Sequence, residues 1–471
     1  MRKPLFLFAL AAVPALALLG ERDAAACGGC FGPPTETNDV VTDHRMVLSL
    51  SSQQTTLYDE IKYSGSPSSF AWVLPISGQV TIGLSADAVF DTLDALSAPT
   101  VQPPPQNCPP PPDGCGQNGA PSAGLSGGGS GGGSGGGVNV TNAQVVGPYQ
   151  TVQLQSTDPQ ALDAWLTTNG YAITDAMKPV IAAYVAGGFD FLAMKLVPGA
   201  GVQSMRPVRV TFGGASPTLP LRMVAAGTGA TVGITLYVVG DGRWEPANFP
   251  WFHIEDSEIV WDWSASDSNY RTLEQQKEAA ANNAIWEVEG SLTESTPSVE
   301  SQIQEAAQYG YVPGSSGGFG GASASSGDAY APIAASGTDP GKTADQVMQD
   351  DLTTLFAGIS ASTFRLTRLR ADLAHAALAS DLQLQAAADQ SALSNSHQAT
   401  KSVNGPLCPV YQGCSVVGQA VYDPSQNGGA HSVSGCSVPA SEPSSWGRSA
   451  ALVGLAGLLV VSSVRARRRR R

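Results

Sequence analysis

The sequence predicts an α+β fold: an antiparallel β-rich domain with packed helices, interrupted by Gly/Ser/Pro-rich tethers. Three observations predict it. Short apolar runs alternate with turn residues, helical periodicity fills the blocks between them, and long Gly, Ser and Pro stretches lack the apolar area to offset their ordering entropy. In chain order, His44 to Leu50, Thr55 to Tyr63 and Phe70 to Pro75 read as strands, parted by turn residues such as Ser64-Gly65-Ser66-Pro67. Ser85 is placed to cap a helix whose Val89, Phe90, Leu93 and Leu96 share a face, ending before Pro99. Residues 101–137 run from prolines into Gly-Gly-Gly-Ser repeats, a flexible insertion.

Beyond it, Gln144 to Leu154 reads as a strand. Asp158-Pro159 starts a helix carrying Leu162, Trp165 and Leu166 that stops at Asn169-Gly170. A further helix runs from Asp175 to Ala186. Strands follow at Phe189–Val197, Val208–Phe212, Leu219–Ala225 and Thr231–Val239, with a turn at Gly240-Asp241-Gly242. Tyr270 to Asn283 is helical in composition. Thr343 to Ala387, with Leu352, Leu355, Phe356, Ile359, Phe364, Leu366, Leu369 and Leu373, reads as two helices broken near Ser360. Residues 314–341 are a second Gly/Ser/Ala insertion and 411–448 a polar stalk. Strands pairing across the first insertion would make residues 27–410 a single interrupted domain; the residues alone also allow two.

The ends predict an address. Met1-Arg2-Lys3, an apolar run from Pro4 to Leu19 and Ala24-Ala25-Ala26 have the order of a secretory signal cleaved after Ala26. An N-terminal membrane anchor and a lipoprotein signal on Cys27 are the alternatives; Gly20-Glu21-Arg22-Asp23 ends the apolar run early, and Ala24 stands where a lipoprotein signal carries Leu. Residues 449–464 are uncharged and cover about 24 Å as a helix, short of the roughly 30 Å hydrocarbon core. The arginines of 465–471 then form a cytoplasmic tail, placing everything before them outside. The chain carries a net charge of −14; without residues 1–26 and 437–471 it holds 15 basic against 36 acidic groups, a net of −21. Such a surface repels phosphate backbones and excludes nucleic-acid binding.

Seven cysteines fall as Cys27/Cys30, Cys108/Cys115, Cys408/Cys414 and the lone Cys436. Export favours disulfides, and the close spacing of Cys108 with Cys115 and of Cys408 with Cys414 favours local bridges. Cys27-Gly-Gly-Cys30 has a redox spacing but lies at the mature terminus, without the strand-to-helix setting that lowers a thiol pKa.

Gly435-Cys436-Ser437, the polar spacer, the short apolar helix and the terminal arginines resemble the three-part C-terminal sorting signal of myxobacterial surface proteins. The resemblance implies that Cys436 is the processed residue, with a membrane and a sorting protease as partners. Phe70-Ala71-Trp72-Val73-Leu74-Pro75, Gly147-Pro148-Tyr149, Trp165-Leu166, Asn169-Gly170-Tyr171, Tyr184-Val185, Phe189–Leu196, the Arg206–Val239 strands and Thr367-Arg368-Leu369-Arg370 are similar to an exported family, domain of unknown function 2330, over about residues 25–385. That family carries no assigned reaction, so the resemblance implies one interrupted domain and no catalytic residues.

Motifs that carry chemistry are few. Gly124-Leu125-Ser126-Gly127-Gly128 fits the serine-hydrolase pattern but lies in a glycine tract. No two of His44, His253, His375, His397 and His431 fall within four residues of each other, so no helical pair of metal ligands exists. Asp262, Ser264, Ser266, Asp267, Ser268 and Asn269 invite a calcium reading, yet Asp267 and Leu273 stand where an EF-hand carries Gly and Glu. Trp72, Trp165, Trp244, Trp251, Trp261 and Trp263 suit packing better than a sugar platform. The expectation is a non-catalytic, surface-anchored interaction or structural module with no catalytic, metal or cofactor site. The rivals are a hydrolase using carboxylates such as Asp241, Glu245 or Glu255, which would converge in one pocket, and a calcium- or glycan-dependent adhesin.

Overall fold

The computed structural model describes residues 30–31, 40–64, 71–108, 144–197 (less 170, 172, 174 and 176), 205–225, 230–309, 330 and 342–421. They belong to one unit, Met1–Val421; the other, Tyr422–Arg471, lies outside them. With elements numbered in chain order, an eight-stranded sheet runs β14 (Trp251–Phe252), β17 (Trp286–Ser295), β18 (Thr363–Ala374), β12 (Thr231–Gly240), β2 (Val40–Leu50), β3 (Gln54–Ser64), β10 (Val208–Gly213), β5 (Thr81–Leu84). Its neighbours are antiparallel except β14–β17 and β12–β2. A five-stranded sheet runs β1 (Cys30–Phe31), β4 (Ala71–Ile76), β9 (Asp190–Leu196), β8 (Tyr149–Leu154), β7 (Gln144–Val146). Smaller sheets join β11 (Thr218–Leu219), β19 (Leu382–Ala386) and β13 (Trp244–Pro246), then β16 (Asp267–Ser268), β15 (Val260–Asp262) and β21 (Lys401–Val403). β6 (Thr100–Gln102) pairs with β20 (Ser396–Gln398), and β22 (Leu407–Gln412) with β23 (Ser415–Val421).

The helices are α1 (Asp87–Ser97), α2 (Pro159–Thr168), α3 (Lys178–Ala186), α4 (Leu221–Ala225), α5 (Tyr270–Ala280), α6 (Thr296–Tyr309) and α7 (Ala344–Leu355). Strand alternation sorts the apolar side chains into layers. Trp72, Leu74 and Ile76 of β4 face Met46, Leu48, Leu236, Val238, Leu369 and Leu373 of the large sheet in the core between the sheets. Val73, Phe191 and Ala193, on the opposite face of the small sheet, meet Leu162, Leu166, Ile181 and Tyr184 of α2 and α3. Val47, Tyr58, Tyr237 and Leu366, on the outer face of the large sheet, meet Val89, Phe90, Leu93, Val299, Ile303 and Leu352 of α1, α6 and α7. The order is helices, sheet, sheet, helices. Each fully buried Leu, Ile or Phe contributes about 2 kcal/mol, an upper figure because the unfolded chain is partly collapsed.

The fold class is α+β as predicted, and the local readings divide. Asp158 caps α2 by accepting from Gln160 N at 2.9 Å, as its sequence indicates. Ser85 does not cap α1: Ala86 holds that position, and Ser85 Oγ donates to Asp351 Oδ2 at 2.6 Å. Gln144–Leu154 is a hairpin turning at Gly147, whose φ of +55° suits glycine. Leu219–Ala225 is the end of β11 followed by the short helix α4. The largest difference is at 363–374, expected as helix and found as strand β18 in the middle of the large sheet. Leu366, Leu369 and Leu373 have helical spacing, but both faces of a central strand are covered, so their burial does not follow a single stripe.

The insertions are shorter than their composition implies. Residues 101–102 belong to β6. Tyr330, inside 314–341, is buried and donates to Asp351 Oδ2 at 2.8 Å. The strand β23 takes up the beginning of the expected stalk. β4 pairs with β9 across 109–143.

Candidate functional site

The outer face of the large sheet carries charge as well as apolar packing. On β18, Arg368, Arg370 and Asp372 share the face of Phe364 and Leu366, because residues two apart in a strand point the same way. The same spacing puts Glu287 and Glu289 together on β17, where a bulge between Val288 and Gly290 inserts Glu289 as an additional residue. Arg368 donates through Nε to Glu289, through Nη1 to Asp94 Oδ1 of α1 at 2.5 Å, and to Tyr237 Oη at 3.2 Å. Arg370 donates to Glu274 Oε1 of α5, Thr235 Oγ1 and Asp372 Oδ1, each at 3.2 Å. Further along, Arg45 bridges Asp91 and Glu60 at 2.9 and 2.7 Å. Arg209 meets Asp351 at 2.7 Å. Helices α1, α5 and α7 are therefore pinned to the sheet by charge-assisted bonds.

At the β17 end the balance is uneven. Glu274, Glu287 and Glu289 are each at most 2 % exposed, and an oxygen from each lies within 4.8 Å of the others. Glu274 also accepts from Arg271 at 2.8 Å. Among the described residues, Glu287 accepts only from Tyr270 Oη, at 2.6 Å through Oε1, and its buried Oε2 has no hydrogen-bond partner. Burial first, and then the charge of Glu289, push the Glu287 carboxyl well above the ordinary carboxylate range. His397 stacks against Tyr270 at 5.1 Å and against His253 at 5.4 Å. Its Nδ1 meets Asp256 at 3.1 Å, and its buried Nε2 has no partner among the described residues. Burial holds the His397 imidazole below its usual pKa.

On the other side of the sheet, a cleft of about 340 Å³ opens at the edge of the inter-sheet core. Leu48, Leu57, Pro75, Phe189 and Phe212 line it with Thr55, Ser77, Ser216 and Thr218. Its carboxylate is Asp381, which accepts from Tyr184 Oη at 2.5 Å and from Arg222 N, Nε and Nη2 at 3.0, 3.0 and 2.6 Å. The Arg222 guanidinium lies 4.2 Å from the Tyr184 ring centre. Burial first, then the Asp381 charge, raise the Tyr184 hydroxyl out of reach of neutral-pH ionisation.

The residues singled out by sequence go elsewhere. Asp241 is exposed and accepts from Ser360 N at 3.3 Å. Glu245 faces Arg243 at 3.6 Å, and Glu255 is exposed at a short 3-10 turn. None of the three lines the cleft. Asp262 Oδ1 is filled by donors, Ser264 N and Oγ and Asn404 Nδ2 at 2.8, 2.7 and 2.8 Å, which leaves the calcium reading there without a free oxygen on that side. Trp72 is buried between the sheets, Trp165 and Trp244 are partly buried, and Trp261 meets Trp263 edge-on at 6.1 Å. His44 is buried against Asp59 at 3.2 Å, and His375 Nε2 meets the Ala225 carbonyl at 3.1 Å. The expected local bridges give way to a long one: Cys108 is bonded to Cys408, 300 residues away. Cys414 is also disulfide-bonded, so no Cys408–Cys414 bridge forms. The pairing of β6 with β20 brings Cys108 to Cys408, a proximity that short sequence spacing does not report. Cys27, Cys115, Cys436, His431 and residues 124–128 and 449–464 lie outside the described residues. Among the described residues, no helix is long and apolar enough to cross a membrane.

Sequence reasoning missed the buried glutamates, the His253–His397 contact and the cleft. The signal for the first was present in Trp286-Glu287-Val288-Glu289 and Arg368-Leu369-Arg370-Ala371-Asp372, where charge alternates with apolar residues at strand period.

These features define a class: a two-sheet α+β domain with a salt-bridged outer face and a cleft between the sheets lined by apolar and hydroxyl-bearing side chains. The chain belongs to the family DUF2330, described as an uncharacterised protein conserved in bacteria, which matches residues 22–301. The match ends before β18, short of the Thr367–Arg370 motif that the resemblance included. No curated protein and no solved structure matches the chain.

Proposed function

We propose that this chain is an exported, surface-anchored envelope protein whose domain works by binding, with the cleft between the sheets as its binding site. The observation that carries the reading is the state of the cleft's carboxylate. Asp381 is committed to Arg222 and Tyr184, and the other lining groups are apolar or hydroxyl-bearing, so the cleft offers surface and hydrogen bonds without a free acid, base or activated nucleophile. The separation of Asp241, Glu245 and Glu255 supports the same reading. Residues 1–26 deliver the chain, and the signal at 435–471 is processed at Cys436, which then holds the mature chain at the outer face of the envelope. The −21 balance of the intervening residues and the Cys108–Cys408 bridge suit an oxidising exterior.

Two measurements test this. Mass spectrometry of the protein isolated from its envelope is expected to find a terminus at Cys27 and loss of the chain beyond Cys436; recovery of the intact Arg471 end refutes the processing. An apolar fluorescent dye is expected to bind the purified domain saturably at one site. Ala215→Trp, at the exposed cleft wall, is expected to abolish that binding with melting unchanged. Equal binding by this variant refutes the cleft as the site.

A further inference from the structure

We propose that Glu274, Glu287 and Glu289 hold a hard divalent cation, calcium before magnesium, between strand β17 and helix α5. Oxygen ligands around calcium sit about 2.3–2.6 Å from the ion, so two of them are separated by at most about 5 Å. One oxygen from each glutamate satisfies that, all three lying within 4.8 Å of one another. A second observation points to a ligand from outside the chain. Glu287 Oε2 is fully buried and meets no donor among the described residues, although a buried carboxyl oxygen normally has a partner.

The surrounding charge leads the same way. The groups facing the cluster are Asp94, Glu278 and Asp372 with the three glutamates, against Arg271, Arg368 and Arg370. Six carboxyl groups against three guanidinium groups supply more oxygen atoms than the arginines hold. The arginines do not exhaust the site, because a carboxylate has about four lone-pair positions and Glu274 and Glu289 each use some for guanidinium N–H. The donors are all oxygen, which selects a hard cation. Magnesium keeps several of its waters, whereas these side chains are at most 2 % exposed, which favours calcium. Tyr270 fixes Glu287 through Oε1 and leaves Oε2 as the ligand atom.

The test uses the whole domain, stripped with a chelator and dialysed, then titrated with calcium chloride by calorimetry, with melting followed in parallel. One equivalent is expected to bind and to raise the melting temperature. Glu287→Gln is expected to weaken binding at least about tenfold, no less than loss of an outer-shell partner does. Asp262→Asn is expected to leave it unchanged. Should Glu287→Gln not fold, Glu274→Gln takes its place. On the wild-type domain, terbium luminescence sensitised by Tyr270 and competed away by calcium reads the same site. Absence of stoichiometric binding by calcium, magnesium or terbium overturns the proposal, as does binding that survives both glutamine variants or is lost in Asp262→Asn.

Discussion

Arg368 ties β18 to β17, β12 and α1 on the outer face, and replacing it with Met gives a sharp prediction. Its guanidinium is bonded to Glu289, to Asp94 at 2.5 Å and to Tyr237 Oη at 3.2 Å, and the residue is 6 % exposed. Met preserves most of the side-chain volume and removes the charge. Asp94 keeps its bond from Tyr237 Oη at 2.8 Å, whereas Glu289 is left as a buried carboxylate facing Glu287. Breaking a buried pair from one side costs about 3–5 kcal/mol, because the surviving charge is desolvated without compensation. Against a typical domain stability of about 5–15 kcal/mol, that loss is visible in a single denaturation curve. The assay is guanidinium chloride unfolding followed by Trp fluorescence, read as a lower midpoint at unchanged m-value. Arg368→Met with Glu289→Leu is expected to recover part of the loss, with a coupling of about 1–3 kcal/mol. A single-variant loss below about 1 kcal/mol, or strict additivity in the double variant, would refute the reasoning, because either means that the pair is hydrated.

Glu278 is raised to about 7, by burial first and then by the charges of Asp372 and Glu274. A carboxyl with a raised folded pKa contributes stability that is fully present below its unfolded value and lost as pH rises through the folded one. Stability is therefore expected to fall from this group between about pH 4.5 and 7, by at most about 3 kcal/mol and by less as solvent screens the charge, and Glu278→Gln should flatten that slope; an unchanged slope by chemical denaturation at several pH values refutes it. A non-reducing digest is expected to join the Cys108 peptide to the Cys408 peptide, and Cys408→Ser to cost about 2–5 kcal/mol; recovery of a Cys108–Cys115 peptide would refute the long bridge. Leu236 is fully buried between the sheets, so Leu236→Ala is expected to cost about 2–5 kcal/mol in the same unfolding assay. A cost near zero would mean that the sheets do not face each other at β12.

Much of the architecture was legible because strands with one covered face, and helices with one stripe, write their period into the sequence. The strand segments at β2, β3, β4, β9, β10 and β12 and helix α2 lie close to where alternation or capping places them, and α5 lies where composition does. What failed has a common cause. β18 is covered on both sides, by the inter-sheet core on one and the charged helices on the other, and such a strand loses the alternation that distinguishes it from a helix. The site was less legible still. Glu274 meets Glu287 and Glu289 only because α5 folds back onto β17, and His253 meets His397 only across 144 residues of chain, so neither contact is written in a local pattern. The same holds for Cys108 and Cys408, where spacing argued for the wrong partners.

The two faces of β18 suggest why charge is buried here at all. Its odd-numbered side chains, Leu369, Ala371 and Leu373, enter a core where many apolar partners fit comparably well, and such surfaces tolerate sliding. Its even-numbered side chains, Arg368 and Arg370, meet Asp94 of α1 and Glu274 of α5, each from a different helix, at single positions. Shifting the strand by two residues would keep the apolar face buried and leave both guanidinium groups opposite the wrong partners. Buried ion pairs add little net stability over apolar replacements, yet a misplaced one is costly, so their effect falls on the alternatives. The inter-sheet core thus drives association of the layers, and the arginines select the register in which β17, β18, α1 and α5 come together. That register, in turn, is what sets Glu274, Glu287 and Glu289 beside one another.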